Sequence, residues 1–426
     1  MANETPPPPS SQKIGLRFLR RIRTFDSLAI PAYRNYFGAM FLFFGAMQMT
    51  QLARPWIAFV LSENDAGERS FFFLGITVAA NHVPSLLLSP YAGALADRFS
   101  KRTILQIAAV AMAFFALLTA VGLSNGLLEW WHVALLGIAQ GAVMTFITPT
   151  RRAIIPELVD REHILNATAL HTVELNINRT TMLAISGFLI DAAGAEWAYF
   201  TIAAMYLVST LALLTVPISA ESIAARRSAM SGAVSEGFRY AMKEPTIRVL
   251  LLIGFVGAVF GQPIQHLLVL FADVLDVGAS EIGLLGTMMG IGALLGSTFA
   301  ASLGDFKRKG LLLILFFTLL GISIVAFSAS SIYILSLVLM FPVGLGHSGR
   351  TSIHLATLQT YVAPEMRGRV MALNAMQGGF QPISILAISA VAELANPQIA
   401  MGISGSVIVL YGLWELIFSR TVRNLE

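Results

Sequence analysis

The amino-acid sequence predicts an all-α polytopic membrane protein, and three observations lead to this fold class. Of the 426 residues, 56% are hydrophobic and only 12% are charged, whereas soluble globular proteins carry about 25% charged residues. The mean hydropathy is +0.73. Long apolar runs recur along the whole chain, separated by charged or Gly/Pro/Ser breaks. Too few charges are present to cover a water-facing surface, which excludes a soluble domain, a disordered chain and a coiled coil.

The apolar runs predict twelve transmembrane helices. A helix needs about 20 mostly apolar residues to cross about 30 Å of hydrocarbon, and each run meets that length. The runs lie near residues 38–60, 71–92, 103–123, 131–150, 164–190, 196–216, 248–272, 281–303, 310–328, 331–355, 370–393 and 398–419.

Basic residues predict the orientation of these helices, because cytoplasmic loops carry an excess of Lys and Arg. With the N-terminus inside, all but four of the 28 Lys and Arg fall on inner segments. The four others are Arg69 on an outer loop and Arg54, Arg179 and Arg350 within spans. We therefore expect both termini in the cytoplasm. The lipid bilayer is the expected partner, and nucleic acid is not, because the positive charge is spread over separate loops.

The chain repeats itself at an offset of 208 residues. Polar or proline landmarks of the first half recur in the second, and chance identities in an apolar composition do not explain them. The matching pairs are Pro55 with Pro263, Asp97 with Asp305, Lys101 with Lys309, Pro156 with Pro364, Glu157 with Glu365, Arg161 with Arg369, and Asn166 with Asn374. Two six-helix repeats describe one architecture of secondary transporters. The predicted organisation is a tail at 1–35 with a basic amphipathic segment, a bundle at 36–217, a linker at 218–247, a bundle at 248–419 and a tail at 420–426.

Several motifs resemble a known transporter family. Residues 93–102, GALADRFSKR, resemble the loop motif between spans 2 and 3 of the major facilitator superfamily. Residues 148–159, TPTRRAIIPELV, together with EGFRY at 236–240 and RGRVM at 367–371, are similar to the enterobactin-exporter-like branch of transmembrane secretion effectors. The resemblance implies twelve helices, alternating access, export, a bacterial inner membrane and a monomer.

The resemblance also implies a conformational latch on the cytoplasmic side. In the superfamily the loop acid joins the two halves and favours the outward-open state. Carried over to this chain, this role falls to a set of charged residues that come from both halves. The alternative is that these residues only keep the loops soluble. The set comprises Asp97, Arg98, Arg102, Glu157, Arg161, Asp305, Glu365 and Arg369.

Two departures from the family pattern leave proton-coupled antiport open. Gly137 stands where the span-4 motif has Arg, and Thr180-Thr181 follows Arg179 where the branch has Gly-Pro. In span 5, however, His171, Glu174 and Asn178 share one helix face, and Glu174 lies about 15 Å into the span. A carboxyl group at that depth can carry a proton. Alternatively, Glu174 forms a structural pair with Arg54 or Arg179.

Further polar residues within spans predict a solute cavity, since polar groups inside a membrane are costly and functional. In the resembled fold, spans 1, 4, 7 and 10 line this cavity. The substrate-binding candidates are Gln51, Arg54, Asn178, Arg179, Gln262, His266, His347 and Arg350. Arginines and histidines outnumber the one acid, so we expect an anionic or acceptor-rich solute as the partner.

The sequence carries no sign of an enzyme or a cofactor. There is no GxxxxGK[ST] phosphate loop, no HExxH and no GxSxG motif. Cysteine is absent, and His347 to His354 have no carboxylates at metal-ligand spacing, so we predict neither a metal site nor a cofactor. The predicted function is a secondary active exporter of a small organic solute. The alternatives are a lipid or lysolipid translocator of the same fold and a transporter-like receptor or scaffold.

Overall fold

The computed structural model describes residues 26–63, 69–88, 100–216, 233–303, 308–419 and 425. Within these residues the regular secondary structure is helical, apart from one isolated β-bridge between Glu63 and Arg69. The amphipathic segment predicted at 13–23, and the latch residues Asp97, Arg98 and Asp305, lie outside the described residues.

The N-terminal half contains six long helices, with a short 3-10 turn at Asp26–Ala29 before the first. The helices are α1 (Pro31–Leu61), α2 (Phe71–Leu88, with a turn at 81–82), α3 (Lys101–Ser124), α4 (Trp130–Leu158), α5 (Ile164–Ala193) and α6 (Ala195–Leu214). Serine N-caps fix two of the starts: the hydroxyl oxygens of Ser70 and Ser100 accept the backbone N–H groups of Phe73 and Thr103.

The C-terminal half follows a linker helix, Ala233–Lys243. Its helices are α7 (Pro245–Leu275), α8 (Ala279–Ser302), α9 (Lys309–Ser328), α10 (Tyr333–Tyr361), α11 (Arg367–Leu394) and α12 (Pro397–Phe418). Helix α7 is interrupted by a π-helical turn at Gly257–Gly261 and a 3-10 turn at Leu268–Phe271, whereas α1 runs through Pro55 without a break.

Nine helical segments in the described part of the chain are long and apolar enough to cross a membrane. Helices α1, α5 and α10 are not among the nine, although they have 31, 30 and 29 residues. They carry most of the predicted site residues, and their polar side chains lower their hydropathy. The all-α membrane fold is confirmed, while the number of twelve spans stays a prediction.

The two halves follow the same helix order, but the predicted constant offset holds only for the starts of α2 and α8 and of α3 and α9, and it is wrong for the other helix pairs. Helices α2 and α8 begin at residues 71 and 279, which are 208 positions apart, whereas α4 and α10 begin at 130 and 333, which are 203 apart. The change arises because α9 has 20 residues and α3 has 24, and the following connection is also one residue shorter. Consequently Glu157 lies in the last turn of α4, whereas Glu365 lies in the turn between α10 and α11.

Helix pairs α2–α11 and α5–α8 join the two halves. We call the side of the molecule where α1 begins and the linker helix lies the linker face, and the other side the opposite face. Gly187 of α5 packs against the backbone of Ala279 at the start of α8, and a β-carbon at Gly187 would fall 2.8 Å from the Ala279 carbonyl carbon. The backbones therefore come close together near the opposite face.

Carboxylates seal this junction at two related places. Asp191, near the end of α5, accepts the backbone N–H groups of Ala279 (3.1 Å) and Ser280 (2.7 Å) at the start of α8. Glu393, near the end of α11, accepts those of Phe71 (2.7 Å) and Phe72 (3.2 Å) at the start of α2. Each acid caps the N-terminus of a helix from the other half, where the helix dipole favours a negative charge.

An ion pair adds to these contacts on the opposite face. Arg69, which precedes α2, bonds Asp273 of α7 and also Glu63, and its guanidinium lies 4.4 Å from the ring centroid of Phe59. The opposite face is therefore held together by contacts between the halves at three points.

Candidate functional site

A cavity of about 540 Å³ lies inside the N-terminal half. Five helices of that half supply its walls: α1, α2, α3, α4 and α6. The lining residues are Met47, Thr50, Gln51, Arg54, Asn81, His82, Ser85, Met112, Gly141, Met144, Thr145, Thr148, Pro149 and Tyr206. Thr148 and Pro149 lie toward the linker-face end of α4, and Ser85 lies near that end of α2, so the cavity extends toward the linker face.

Arg54 is the cation of this cavity. Its side chain is buried, and its Nη2 donates to the amide oxygen of Gln140. Among the described residues, no carboxylate forms an ion pair with Arg54. Gln140 thus orients the guanidinium and leaves its charge uncompensated.

A second, narrower cavity lies between the two halves. Gln51 lines both cavities and joins them. The other lining residues are Gln48, Arg179, Leu183, Gln265, Gly286, Met289, Gly290, Ala293, Gly344 and His347. The sequence-predicted residues Gln51, Arg179 and His347 are therefore brought together, with α1, α5 and α10 as their supports.

Histidines connect the halves beside these cavities. The rings of His82 in α2 and His266 in α7 meet edge to face, with their centroids 4.8 Å apart. His347 Nε2 lies 2.9 Å from the side-chain nitrogen of Gln265, one residue before His266. The candidate His266 therefore contacts the N-terminal half directly.

Arg350 lies deeper in the C-terminal half and lines neither cavity. It is buried, and its Nη2 donates to Thr351 Oγ1 at 3.3 Å. The guanidinium packs on Gly257 of the π-helical turn, where a β-carbon would fall 2.6 Å from Cζ. Within the described residues, neither Arg350 nor Arg179 has a carboxylate partner.

Two other candidates do not line these cavities. Asn178 is buried and donates to the backbone oxygen of Phe41 at 3.1 Å, so it fastens α5 to α1. Gln262 follows the π-helical turn and accepts the backbone N–H of Gln265 at its carbonyl oxygen, 3.2 Å away.

Glu174 forms a separate buried cluster in the N-terminal half. Its Oε2 lies 3.2 Å from Arg151 Nη2 and 3.3 Å from His171 Nδ1. Arg151 also bonds His171, and its guanidinium lies 3.6 Å from the ring centroid of Phe44. The expected alternative partners, Arg54 and Arg179, are wrong: the arginine that pairs with Glu174 is Arg151.

Sequence reasoning placed Arg151 in a cytoplasmic segment because the apolar run ends at residue 150. Helix α4 continues to Leu158, so Arg151 lies inside it. The signal was present in the sequence: Ile154 and Ile155 resume the apolar pattern after the two arginines, and both are buried.

The described latch candidates make contacts within one half or with the linker helix. Arg102 donates to the backbone oxygen of Leu214 at 2.6 Å, and Lys101 pairs with Glu157. Arg369 pairs with Glu236 of the linker helix at 2.6 Å. Arg161 and Glu365 are exposed.

The histidine-rich stretch of α10 makes contacts with amide side chains. His354 Nε2 lies 2.9 Å from Asn374 Oδ1 of α11. His347 Nε2 lies at the same distance, 2.9 Å, from Gln265 Nε2. No group of three or more His, Cys, Asp or Glu side chains that could hold a metal ion occurs in the described ranges.

The fold and these cavities define a membrane transporter of the major facilitator superfamily. Residues 36–424 match the family model "Transmembrane secretion effector", and the chain belongs to that family.

Curated relatives and solved structures agree with this assignment. The enterobactin exporter EntS of Shigella boydii serotype 4 is 23% identical over 402 residues, 93% of this chain and 94% of that protein. EntS of Escherichia coli O127:H6 is 23% identical over 400 residues, with the same coverage.

Among solved structures, the nucleoside transporter NupG superposes with a TM-score of 0.67 at 12% identity, covering 89% of this chain and 98% of that one. A bacterial homologue of ferroportin in its inward-facing state gives 0.70 at 14% identity, covering 92% and 99%. These likenesses show the fold.

Proposed function

We propose that this protein is a secondary active transporter that exports a small organic anion across the bacterial inner membrane by alternating access. The observation that carries the proposal is Arg54, a buried arginine that lines the larger cavity and has no carboxylate partner in the described residues. Buried Arg350 and the exposed Arg179 of the narrower cavity lack such a partner as well. A buried charge is costly unless a counter-charge or hydrogen bonds compensate it. A bound anion supplies that counter-charge.

The arrangement of the halves supports loading from the cytoplasm. The basic loops make the linker face the cytoplasmic side. Contacts between the halves hold the opposite face together at Asp191, Glu393 and Arg69, while the larger cavity extends toward the linker face. An exporter takes up its solute in this arrangement, and the EntS relatives are exporters.

Glu174 is the proposed proton carrier of the cycle. It is buried and bonded to both Arg151 and His171, and it belongs to a cluster apart from Arg54. Protonating Glu174 would free Arg151 from its counter-charge, and deprotonating it would restore the pair. A proton can thus change the packing of α4 against α5 without entering the solute cavity.

The test compares compounds retained by bacterial cells that lack the gene with cells that express the wild type or Arg54→Gln. We expect organic anions to accumulate in the deletion strain and in Arg54→Gln, and to be cleared by the wild type. Arg239→Gln, at an exposed arginine of the linker helix, is the matched control and should clear them.

Other outcomes overturn the proposal. Accumulation of neutral or cationic compounds would contradict an anion site. Accumulation of phospholipid or lysolipid would favour a lipid translocator, and an unchanged compound profile would favour a receptor or scaffold.

A further inference from the structure

The larger cavity belongs to one half of the molecule alone. Its fourteen lining residues all lie between Met47 and Tyr206, in the N-terminal bundle. Arg350, a buried cation of the C-terminal half, is packed on Gly257 and does not line this cavity. A solute held in the cavity is therefore held by the N-terminal half.

Two polar side chains in the cavity wall donate hydrogen bonds to backbone oxygens and keep an oxygen acceptor. Thr145 Oγ1 donates to the backbone oxygen of Gly141 at 2.9 Å. Asn81 Nδ2 donates to the backbone oxygen of Gly137 at 3.1 Å, and that contact fixes which end of the amide is the nitrogen. A threonine hydroxyl has one hydrogen and two lone pairs, and an amide oxygen is only an acceptor. Thr145 Oγ1 and Asn81 Oδ1 therefore offer acceptor atoms to a solute.

The remaining wall is apolar and adaptable. Met47, Met112 and Met144 come from three helices and line the same space. Methionine is flexible and polarizable, fills irregular gaps and makes favourable contacts with aromatic rings. The volume of about 540 Å³ lies in the range of pockets for drug-sized ligands.

We propose that the N-terminal half alone binds the solute, and that the solute is an organic anion with O–H or N–H donors on an apolar body. Arg54 binds the anionic group, Asn81 and Thr145 accept the donors, and the three methionines contact the apolar body. This inference rests on the proposed transport of an organic anion and adds the donor groups and the half that holds them.

The test is direct binding to the purified full-length protein by titration calorimetry, with three probes that differ in one feature each. Chlorogenate has a carboxylate, several hydroxyl donors and an aromatic body. Its methyl ester lacks the charge, and its fully O-methylated acid lacks the donors. We expect chlorogenate to bind at least tenfold more tightly than either derivative.

Variants locate the contacts. Thr145→Val should weaken chlorogenate binding several-fold and leave the O-methylated acid unchanged. Thr201→Val is the matched control, because Thr201 makes the same type of bond, to the oxygen of Trp197 at 2.9 Å, and lies outside the cavity; it should bind both probes as the wild type does. Arg54→Gln should weaken chlorogenate binding at least tenfold, whereas Arg239→Gln, at an exposed arginine of the linker helix, should change it less than threefold.

The outcomes separate this inference from the proposed function. Equal binding of chlorogenate and its O-methylated acid, equal effects of Thr145→Val and Thr201→Val, or equal effects of the two arginine variants would overturn the inference while leaving anion export intact. Equal binding of chlorogenate and its methyl ester would contradict both. Absence of binding by all three probes would overturn the ligand class stated here. The comparison of probes and the Thr145 variant need no arginine replacement, so they stay decisive if Arg54→Gln fails to fold.

Discussion

Two buried arginines of the N-terminal half, Arg151 and Arg54, have opposite surroundings. Arg151 meets the carboxylate of Glu174, the imidazole of His171 and the face of Phe44. Arg54 meets the neutral amide of Gln140. Both side chains are nearly inaccessible, at 5% and 9% exposure. Burial is therefore similar at the two sites, and the difference between them is that Arg151 has a carboxylate counter-charge within the described part of the chain and Arg54 has none.

The largest predicted effect is the loss of stability when the ion pair of Arg151 and Glu174 is broken. Glu174→Ala should lower the free energy of unfolding by about 3–5 kcal/mol, because it leaves the Arg151 charge buried without its partner. Urea unfolding in detergent, followed by circular dichroism, measures the change. Glu162→Ala is the control, since that carboxylate is 78% exposed. A loss below about 1 kcal/mol for Glu174→Ala would show that the pair contributes little.

A double variant separates stability from coupling at the same pair. Replacing Glu174 and Arg151 together with Gln removes both charges, so the unfolding free energy should recover most of the loss expected for Glu174→Ala. Accumulation driven by a pH gradient should still be abolished, while exchange of solute without a gradient continues. We would measure both in proteoliposomes. Uphill transport by a folded double variant would remove Glu174 from the coupling mechanism.

The next effect concerns carboxylates that act between the halves rather than inside one. Asp191→Asn combined with Glu393→Gln should shift the population toward an open opposite face by about 1–2 kcal/mol, because two helix N-termini lose a charged cap. Distances between spin labels on that face, measured by pulsed electron resonance, report the shift. Glu196→Gln, at an acid in the first turn of α6, is the control. Distance distributions equal to those of the wild type would assign the two caps a merely local role.

The smallest predicted effect is the change in stability when Arg54, which has no carboxylate partner in the described residues, is replaced. Arg54→Gln should change the unfolding free energy by less than about 1 kcal/mol, since the lost bond to Gln140 is offset by removal of a buried charge. The same unfolding assay checks this value. A loss as large as that of Glu174→Ala would show that Arg54 has a structural partner equivalent to Glu174, and the contrast between the two arginines would fail.

Composition and periodicity predicted the parts of the fold that depend on average properties. Hydropathy alone identifies a helical membrane protein, because about 20 apolar residues fix each span. The apolar runs at 310–328 and 331–355 predicted two spans with almost no connection, and α9 indeed ends at Ser328 while α10 begins at Tyr333. The constant offset between the halves failed because α9 is four residues shorter than α3 and the connection after it is one residue shorter. Matching polar landmarks do not determine these lengths.

The types of polar residue within the spans follow from the sequence, but the partner of Glu174 was predicted wrongly. An excess of buried cations follows from counting residues within spans. Which arginine meets Glu174 depends on how α4 and α5 are rotated about their axes and on where α4 ends, and no local pattern sets the rotation. The broken path of α7 at Gly257 is a tertiary feature of the same kind, because α1 contains Pro55 and yet stays regular.

The ion pair of Arg69 has a consequence for the environment of the protein. Its partners Glu63 and Asp273 have side chains 42% and 47% exposed, so dissolved ions reach them. The screening length falls from about 8 Å at physiological ionic strength to about 3 Å at 1 M salt. A concentrated saline medium on the opposite face would therefore weaken this ion pair and leave the buried pair of Arg151 and Glu174 nearly untouched. Ionic strength would in this way act on the contacts between the halves at the opposite face only.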